Sequence, residues 1–147
     1  MLALLQRVSH AHINVNNQTI SAITQGILVF IGMEKSDSEK QADRLLQRIL
    51  TYRIFSDAMG KMNLSVQDIQ GGILLVPQFT LAADTDSGTR PGFSPAMAPN
   101  LSNPLFAYMT DQARQRYPTV EQGIFGADMQ ISLCNDGPVT FLLREGK

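Results

Sequence analysis

The sequence is poor in the residues on which several kinds of chemistry depend. Its 147 residues include one cysteine, Cys134, and two histidines, His10 and His12. A single cysteine excludes a disulfide within the chain and is typical of a reducing compartment, so a cytoplasmic location is expected. The histidines share a face of one strand, but no carboxylate or cysteine pattern accompanies them. A polar, solvent-facing strand edge is therefore favoured over a metal site, and no metal or cofactor is expected.

Long apolar runs and strong charge are also missing. No stretch approaches the ~18 apolar residues of a membrane helix, and the apolar N-terminal residues are interpreted as a first strand, not as a signal peptide. No membrane partner is therefore expected. The net charge of −1 gives no overall basic signature for nucleic acid, and DNA is not expected as a partner. A local basic patch can still bind RNA phosphates.

Several familiar catalytic motifs do not occur. No serine lies in a G-x-S-x-G elbow, and neither a Walker loop nor a G-x-G-x-x-G motif is present. Cys134 is predicted on the strand face opposite Met129, Ile131 and Leu133, where a small packing residue is more plausible than a nucleophile. Polar insertions into apolar strands remain as the functional candidates.

The residues that are present predict a folded α/β protein of the α+β type. Apolar residues make up 44% of the chain, which is enough for a core, and the length fits a single domain, residues 1–147. Apolar alternation or continuous apolar runs predict strands at residues 2–15, 19–24, 26–32, 73–81, 127–135 and 139–143. The element order β-β-β-α-β-α-β-β predicts a curved, mostly antiparallel, barrel-like sheet with two main helices.

Both helices carry start signals. Ser36 and Glu39 form a capping-box pattern ahead of apolar residues at helical spacing. Asn103 and Pro104 are predicted as N-cap and first residue of the second helix. Before it, residues 82–104 are rich in Gly, Pro, Ser, Thr and Asp, and a loop of this length is often functional.

Two polar insertions interrupt the apolar strands. In "PQFTL", residues 77–81, polar groups follow four buried apolar residues, and such groups are costly unless they are satisfied or used. This segment is therefore either an ordinary strand end or a pocket wall. In "NDGPVT", residues 135–140, the first three residues predict a tight turn between two strands. Pro138 then begins the second strand without an N–H to donate.

Several segments together resemble the bacterial D-aminoacyl-tRNA deacylases over nearly the whole chain. They are "PQFTLAADT", "NDGPVT", "LLQRVSHAHINV", "YRIFSDAMGKMNLSV", "RPGFS" and "GADMQISL". The resemblance implies a homodimeric, cytoplasmic editing hydrolase without a cofactor, whose active sites lie at the subunit interface. Its partner would be the 3′ end of an aminoacyl-tRNA, where it would cleave the ester between a D-amino acid and the terminal adenosine.

The resemblance also implies roles for individual residues. Gln78, Phe79 and Thr80 would line the site around the ester. Gly137 and Pro138 would form a cis peptide that enters the partner subunit's site, excludes L side chains and admits D-amino acids and glycine.

Further residues follow from the same resemblance. Arg7 would hold the Gly-Pro turn in place, and Phe125 and Met129 would contact the adenosine, although core packing is an equal alternative for Met129. The sequence departs from the family at Pro77, where serine is usual. A role for a serine hydroxyl is therefore in doubt, and the N–H of residue 77 is predicted to be unnecessary for sheet pairing.

The chemistry itself suggests how such a site works. Thr80 has no evident activating base, so it is expected to position groups while backbone N–H groups near Phe79 and Thr80 bind the oxyanion. The resemblance suggests that the substrate's 2′-hydroxyl assists the attacking water. Candidates for the tRNA backbone are Arg53, Lys61, Arg90 and Arg144. Two alternatives stay open: a non-catalytic RNA-binding module with this fold, and a dimeric small-molecule protein.

Overall fold

The structure is a computed structural model that describes residues 1–146. Within them the strands are β1 (Leu2–Val15), β2 (Gln18–Ile23), β3 (Gly26–Gly32), β4 (Phe55–Ser56), β5 (Met62–Leu64), β6 (Gly72–Pro77), β7 (Val120–Gln122) and β8 (Gln130–Arg144). The α-helices are α1 (Glu39–Thr51) and α2 (Pro99–Arg116), and a short 3₁₀ helix covers Phe79–Ala82. No helix in the described residues is long and apolar enough to span a bilayer.

The main sheet is organised around β1. β8 pairs antiparallel along one edge of β1, and β2 and β3 pair antiparallel along the other. β3, β6 and β7 are mutually parallel, with α1 and α2 in the two crossovers that parallel strands require. Ser21 of β2 donates to the Gln122 carbonyl of β7 at 2.6 Å, so the sheet curls until its ends approach. The predicted curved, barrel-like sheet with two helices is confirmed, and its strand pairing is mixed.

The sheet buries apolar side chains on both faces. One face packs against the two helices and includes Ala3, Leu5, Val29 and Leu75. The other face closes a smaller core around Val8, Ile13, Leu28 and Leu74. Because the parallel strands are covered on both sides, their sequences are nearly continuous apolar runs.

Both helix starts differ from the sequence prediction. Ser38, not Ser36, caps α1, and its backbone N–H donates to the Gln41 side chain at 3.0 Å. Asp37 is engaged elsewhere, because its carboxylate accepts a hydrogen bond from the Met1 amino group at 2.7 Å. The second helix also starts earlier than predicted.

α2 begins at Pro99, with Ala98 as N-cap, so the predicted start at Asn103 and Pro104 was wrong. Pro99 supplies the fixed φ that favours a first helical residue, and Pro104 lies inside the helix. The prediction chose the second of two prolines, either of which fits the local rule. The strand predicted at residues 73–81 likewise ends at Pro77, after which the chain turns into the 3₁₀ helix.

The tight turn predicted at residues 135–137 was also wrong. β8 is one strand that runs antiparallel to β1 on both sides of the "NDGPVT" segment. Gln6 pairs with Thr140 and Val8 pairs with Asn135, so residues 136–139 leave the ladder opposite Arg7 alone. We call residues 136–139 the β8 bulge. The chain departs from the sheet there and returns without reversing direction.

His12 has register partners on both sides, Ala22 of β2 and Ser132 of β8, so the predicted strand edge was wrong for it, whereas His10 has a register partner on β8 alone among the described residues. Ser9 is an extra residue in the pairing with β8, and His10 then lies opposite Cys134. His10 and Cys134 are exposed, whereas Ile131 and Leu133 are half-buried. Among residues 1–146 no three His, Cys, Asp or Glu side chains are grouped to hold a metal ion.

Candidate active site

A cleft of about 430 Å³ lies where the three parallel strands end. Binding sites of open α/β sheets commonly form at the carboxyl ends of such strands, and this volume falls within the ~300–1,000 Å³ of small-molecule pockets. Residues from the end of β6 and just after it, from the loop before α2, from α2 and from after β7 line it: Pro77, Phe79, Phe93, Ala96, Met97, Ala98, Pro99, Ser102, Phe125 and Gly126. A small cavity beneath it adds Ile31, Met33, Gln78 and Phe106.

The cleft is apolar and aromatic. The rings of Phe79 and Phe93 lie 5.2 Å apart, centroid to centroid, at an interplanar angle of 54°. Phe79 is 58% exposed and Phe93 is 44% exposed, so both rings present open surface to a ligand. Among the described residues that line the cleft or the cavity beneath it, none has an ionisable side chain. A general base or acid from the lining is therefore lacking, and polar chemistry there depends on backbone groups, the Gln78 amide and the Ser102 hydroxyl.

Backbone donors at the start of the 3₁₀ helix are free. Gln78 N–H donates to the Ile31 carbonyl at 2.8 Å, and Leu81 N–H donates to the Gln78 carbonyl at 3.3 Å. Within residues 1–146 the N–H groups of Phe79 and Thr80 have no backbone acceptor. First-turn N–H groups lack partners within a helix, so these two donors are available for an anionic oxygen.

The structure brings most of the predicted residues of the first motif together. Gln78 is half-buried in the floor, Phe79 forms one wall, and Thr80 is exposed beside it. Phe125, predicted from the resemblance, also lines the cleft. Met129 does not line the cleft but packs in the second core, where its sulfur lies close to Gly123.

Pro77 fits its position without a lost hydrogen bond. Strand N–H groups alternate in direction, and Gln78 N–H points to β3. The nitrogen of Pro77 therefore faces the β7 side, where strand pairing extends only from Ile73 to Leu75. A proline is tolerated because no neighbouring strand needs a donor there.

The second motif lies apart from this cleft. The Gly137–Pro138 peptide bond is cis, and both residues are exposed. Neither residue lines the cleft of its own chain. Gly137 has φ of +140°, and a Cβ there would lie 2.7 Å from the Val139 side chain, so a larger residue would distort the bulge.

Arg7 connects the bulge to a neighbouring segment. Its Nε donates to the Asp136 carbonyl at 2.9 Å and its Nη1 donates to the Ile54 carbonyl at 2.9 Å. The Asp136 carboxylate lies 3.6 Å from Nε. Because the guanidinium is rigid and planar, two carbonyls bound by one side chain hold the two segments in a fixed relation.

The cleft also contains residues that the sequence did not single out. Phe93, Met97, Pro99 and Ser102 come from the long loop and the first turns of α2. The loop's length and composition were the signal for Met97, Pro99 and Ser102, and the "RPGFS" segment of the resemblance also contains Phe93. The four basic candidates, Arg53, Lys61, Arg90 and Arg144, are all exposed, and Arg144 lies 3.9 Å from Glu34.

Comparisons with known proteins agree with the resemblance seen in the sequence. The family model described as D-Tyr-tRNA(Tyr) deacylase matches residues 4–144. A D-aminoacyl-tRNA deacylase of Janthinobacterium sp. (strain Marseille) is 59% identical over 144 residues, which cover 98% of this chain and 97% of that protein. The D-aminoacyl-tRNA deacylase of Pseudomonas syringae pv. tomato is 58% identical, with coverage of 98% and 99%.

Solved structures agree with these relatives. One named c-Myc DNA Unwinding Element Binding Protein superposes with a TM-score of 0.96 and 37% identity and covers 100% of both chains. A second, described as a probable eukaryotic D-amino acid tRNA deacylase, shares the fold, with a TM-score of 0.83, 17% identity and coverage of 97% of each chain. With a family model that spans almost its whole length and relatives at this identity, the chain belongs to the D-Tyr-tRNA(Tyr) deacylase family.

Proposed function

We propose that the protein hydrolyses the ester bond between a D-amino acid and the 3′-terminal adenosine of tRNA, and that it also accepts glycyl-tRNA. The observation that carries this proposal is the cleft itself. It combines aromatic walls, two free backbone N–H groups and a lining without ionisable side chains. Such a site suits an activated ester, which needs an oxyanion stabiliser more than it needs a strong base.

The hydrolytic step uses few protein groups. Water attacks the ester carbonyl carbon, and the N–H groups of Phe79 and Thr80 bind the oxygen on which negative charge develops. The intermediate then loses the 3′-oxygen of the ribose, which takes up the proton given by the water. Since no lining side chain is a base, the neighbouring 2′-hydroxyl of the substrate assists this proton movement. Thr80 and Gln78 position the reacting groups.

The terminal adenine binds by stacking. Phe79, Phe93 and Phe125 offer ring faces around a cleft that is open to solvent, and RNA-binding proteins commonly stack unpaired bases on such rings. Met129 packs in the second core close to Gly123 and does not line the cleft, so no direct contact with the adenine is proposed for it. The exposed basic side chains outside the cleft are left to contact the tRNA backbone.

Chiral selection is assigned to the β8 bulge of a second subunit. Gly137 and Pro138 are exposed, held by Arg7 and absent from their own cleft. Inserted into a partner's cleft, their backbone carbonyls form a rigid wall against the L configuration. A D-amino acid directs its side chain away from that wall, and glycine has no side chain to meet it. Steric exclusion of this kind accepts many side chains because it does not bind them.

An exposed apolar strip supports the homodimer that this arrangement requires. Leu4 of β1 lies in register with Leu142 of β8 on one side and with Phe30 of β3 on the other. Leu142 is 56% exposed, and Leu4 and Phe30 are half-buried. Contiguous apolar surface on a sheet face marks an interaction site, and a second copy of the chain is the occupant that we propose.

Matched D- and L-tyrosyl-tRNA test the proposed function directly. We expect rapid release of D-tyrosine, release of glycine from glycyl-tRNA, and no release of L-tyrosine above the rate without enzyme. Gly137→Ala is the control variant, and it should alter the ratio between D and L substrates. Binding of tRNA without release of any amino acid would instead identify a non-catalytic RNA-binding module. The name of one solved relative indicates DNA binding, and adding duplex DNA to the assay tests whether DNA inhibits the release of D-tyrosine.

A further inference from the structure

The side chain of Asn135 closes the base of the β8 bulge. Its Oδ1 accepts a hydrogen bond from the Val139 N–H at 2.7 Å. Its Nδ2 lies within hydrogen-bond distance of the Thr140 hydroxyl at 2.9 Å, the Gln6 side-chain oxygen at 3.2 Å and the Val139 carbonyl at 3.4 Å. One amide group therefore joins the residue before the bulge to the last residue of the bulge, to the residue after it and to β1.

These contacts replace the ladder that the bulge interrupts. Residues 136–139 have no register partner on β1, so the Val139 N–H depends on a side chain for its acceptor. An unpaired backbone donor in a half-buried position is costly, and Asn side chains often bond to a nearby backbone group in this way. Asn135 thus determines where the chain leaves the sheet and where it returns.

Arg7 and Asn135 fix the two ends of the bulge separately. Arg7 binds the carbonyl of Asp136, on the entering side, and Asn135 binds Val139, on the returning side. Gly137 and Pro138 lie between these two attachments and are exposed. The position of their backbone is therefore set by these two polar side chains together with Val139, which packs against the main core.

We propose that Asn135 is a positioning residue for chiral discrimination, which acts by holding the Gly137–Pro138 backbone at the position in the partner's cleft where it excludes an L side chain. This inference rests on the proposed role of the bulge as a wall in the partner's cleft. A wall that discriminates by steric contact works only if its carbonyls are held within fractions of an ångström. If the returning end of the bulge is released, the wall can move back, and the L substrate that it excluded is then admitted.

The test compares three substrates in Asn135→Ala. We expect the ratio of kcat/KM for D- over L-tyrosyl-tRNA to fall at least about tenfold, mainly because L-tyrosine is released faster. Glycyl-tRNA has no side chain to meet the wall, so its kcat/KM should change less than about threefold. Thr140→Val removes one partner of the amide and should lower the D/L ratio by a smaller factor. Ser132→Ala, an exposed position on the same strand, is the matched control and should leave the ratio unchanged.

Each outcome separates the possibilities. The inference is overturned if the Asn135→Ala variant melts like the wild type and its D/L ratio is unchanged. An equal loss with all three substrates also overturns it, because that pattern indicates structural damage without a selectivity role. If Asn135→Ala does not fold, Thr140→Val decides by the same criteria. If the wild type releases no D-tyrosine, the proposed function fails and this inference fails with it. If the wild type is active and Asn135→Ala changes kcat/KM equally for all three substrates, only the inference is refuted.

Discussion

At the scale of single residues, Thr80 is the side chain whose role is most open to test. It is exposed at the first turn of the 3₁₀ helix, and no ionisable side chain lines the adjoining cleft. A threonine hydroxyl becomes a nucleophile only with a base beside it. Its backbone N–H, by contrast, is available whatever the side chain is.

We therefore expect Thr80→Ala to keep turnover of D-tyrosyl-tRNA within about tenfold of the wild type, because general acid–base or nucleophilic roles contribute ~10²–10⁴-fold. The measurement is single-turnover deacylation, with tRNA binding followed separately. Ser94→Ala, outside the residues that line the cleft, serves as control. Loss of turnover beyond about a thousandfold with intact binding would give Thr80 a chemical role.

Site residues could be predicted where they form a continuous motif in the chain. The segments at 77–80 and 137–138 could be chosen from the resemblance, and the structure places the first of them in the cleft. Phe93 was marked only as part of the "RPGFS" segment, without a role, and Met97 was not marked at all, because their loop is positioned by contacts distant in sequence. Met97 N–H donates to the Met33 carbonyl at 2.9 Å, and Lys35 N–H donates to the Pro95 carbonyl at 3.1 Å. No local pattern encodes such contacts.

At the scale of elements, β8 shows what a turn signal does and does not specify. Asn135, Asp136 and Gly137 correctly marked a departure from the extended ladder. They did not determine whether the chain reverses, because that depends on pairing with β1, which continues on both sides of the bulge. Bulges in continuing strands and turns in hairpins favour the same residues, so sequence alone cannot separate them.

The parallel contact between β3 and β6 depends on two glycines. Gly26 and Gly72 are register partners, and a Cβ added to Gly26 would lie 1.9 Å from the Gly72 carbonyl oxygen. Because backbone must move to relieve this contact, Gly26→Ala should lower the free energy of unfolding by ~2 kcal/mol or more. Urea unfolding measures the effect, and Gly146→Ala, with nothing within 4 Å, is the control. Equal midpoints for the two variants would contradict the close approach.

The β4–β5 ribbon depends on one carboxylate. Hydrogen bonds from the Asn63 side chain, then from the Lys61 and Met59 N–H groups, hold the pKa of Asp57 below its usual 3.8. A lowered folded-state pKa gives stability that is present above the unfolded value and is lost as pH falls through the folded one. Wild type should therefore exceed Asp57→Asn in stability at neutral pH, and the difference should shrink on acidification below 3.8.

Urea unfolding at a series of pH values measures that difference. Asp111→Asn, an exposed carboxylate on α2 without a side-chain hydrogen bond among the described residues, corrects for the general effect of removing one negative charge. A difference between wild type and Asp57→Asn that stays constant down to about pH 2 would show that the hydrogen bonds do not favour the charged form.

At the scale of the whole molecule, composition and apolar periodicity were enough for the fold class. Continuous apolar runs marked the strands that are covered on both faces, and the helical spacing marked α1. We propose that the whole chain acts as one deacylase domain, since the family model matches residues 4–144. Within one subunit the cleft and the β8 bulge do not meet, since neither Gly137 nor Pro138 lines the cleft.

A mixed dimer tests whether the bulge serves the partner's cleft. One chain carries Gly137→Ala, which damages its bulge, and the other carries Gln78→Ala with Phe79→Ala, which damages its cleft. Two different affinity tags allow the mixed dimer to be purified from both parental dimers. Each parental dimer is also measured alone, and we expect an unselective enzyme from the first and an inactive one from the second.

If the bulge acts across the interface, the intact cleft of the Gly137→Ala chain receives the intact bulge of its partner. The mixed dimer should then regain the wild-type D/L ratio, with about half the wild-type kcat per dimer, because one of two sites is whole. If the bulge acted on its own subunit, the only intact cleft would face a damaged wall, and the mixed dimer would release L-tyrosine as readily as the Gly137→Ala parent. The D/L ratio of one purified species thus distinguishes a site shared between subunits from a site within one.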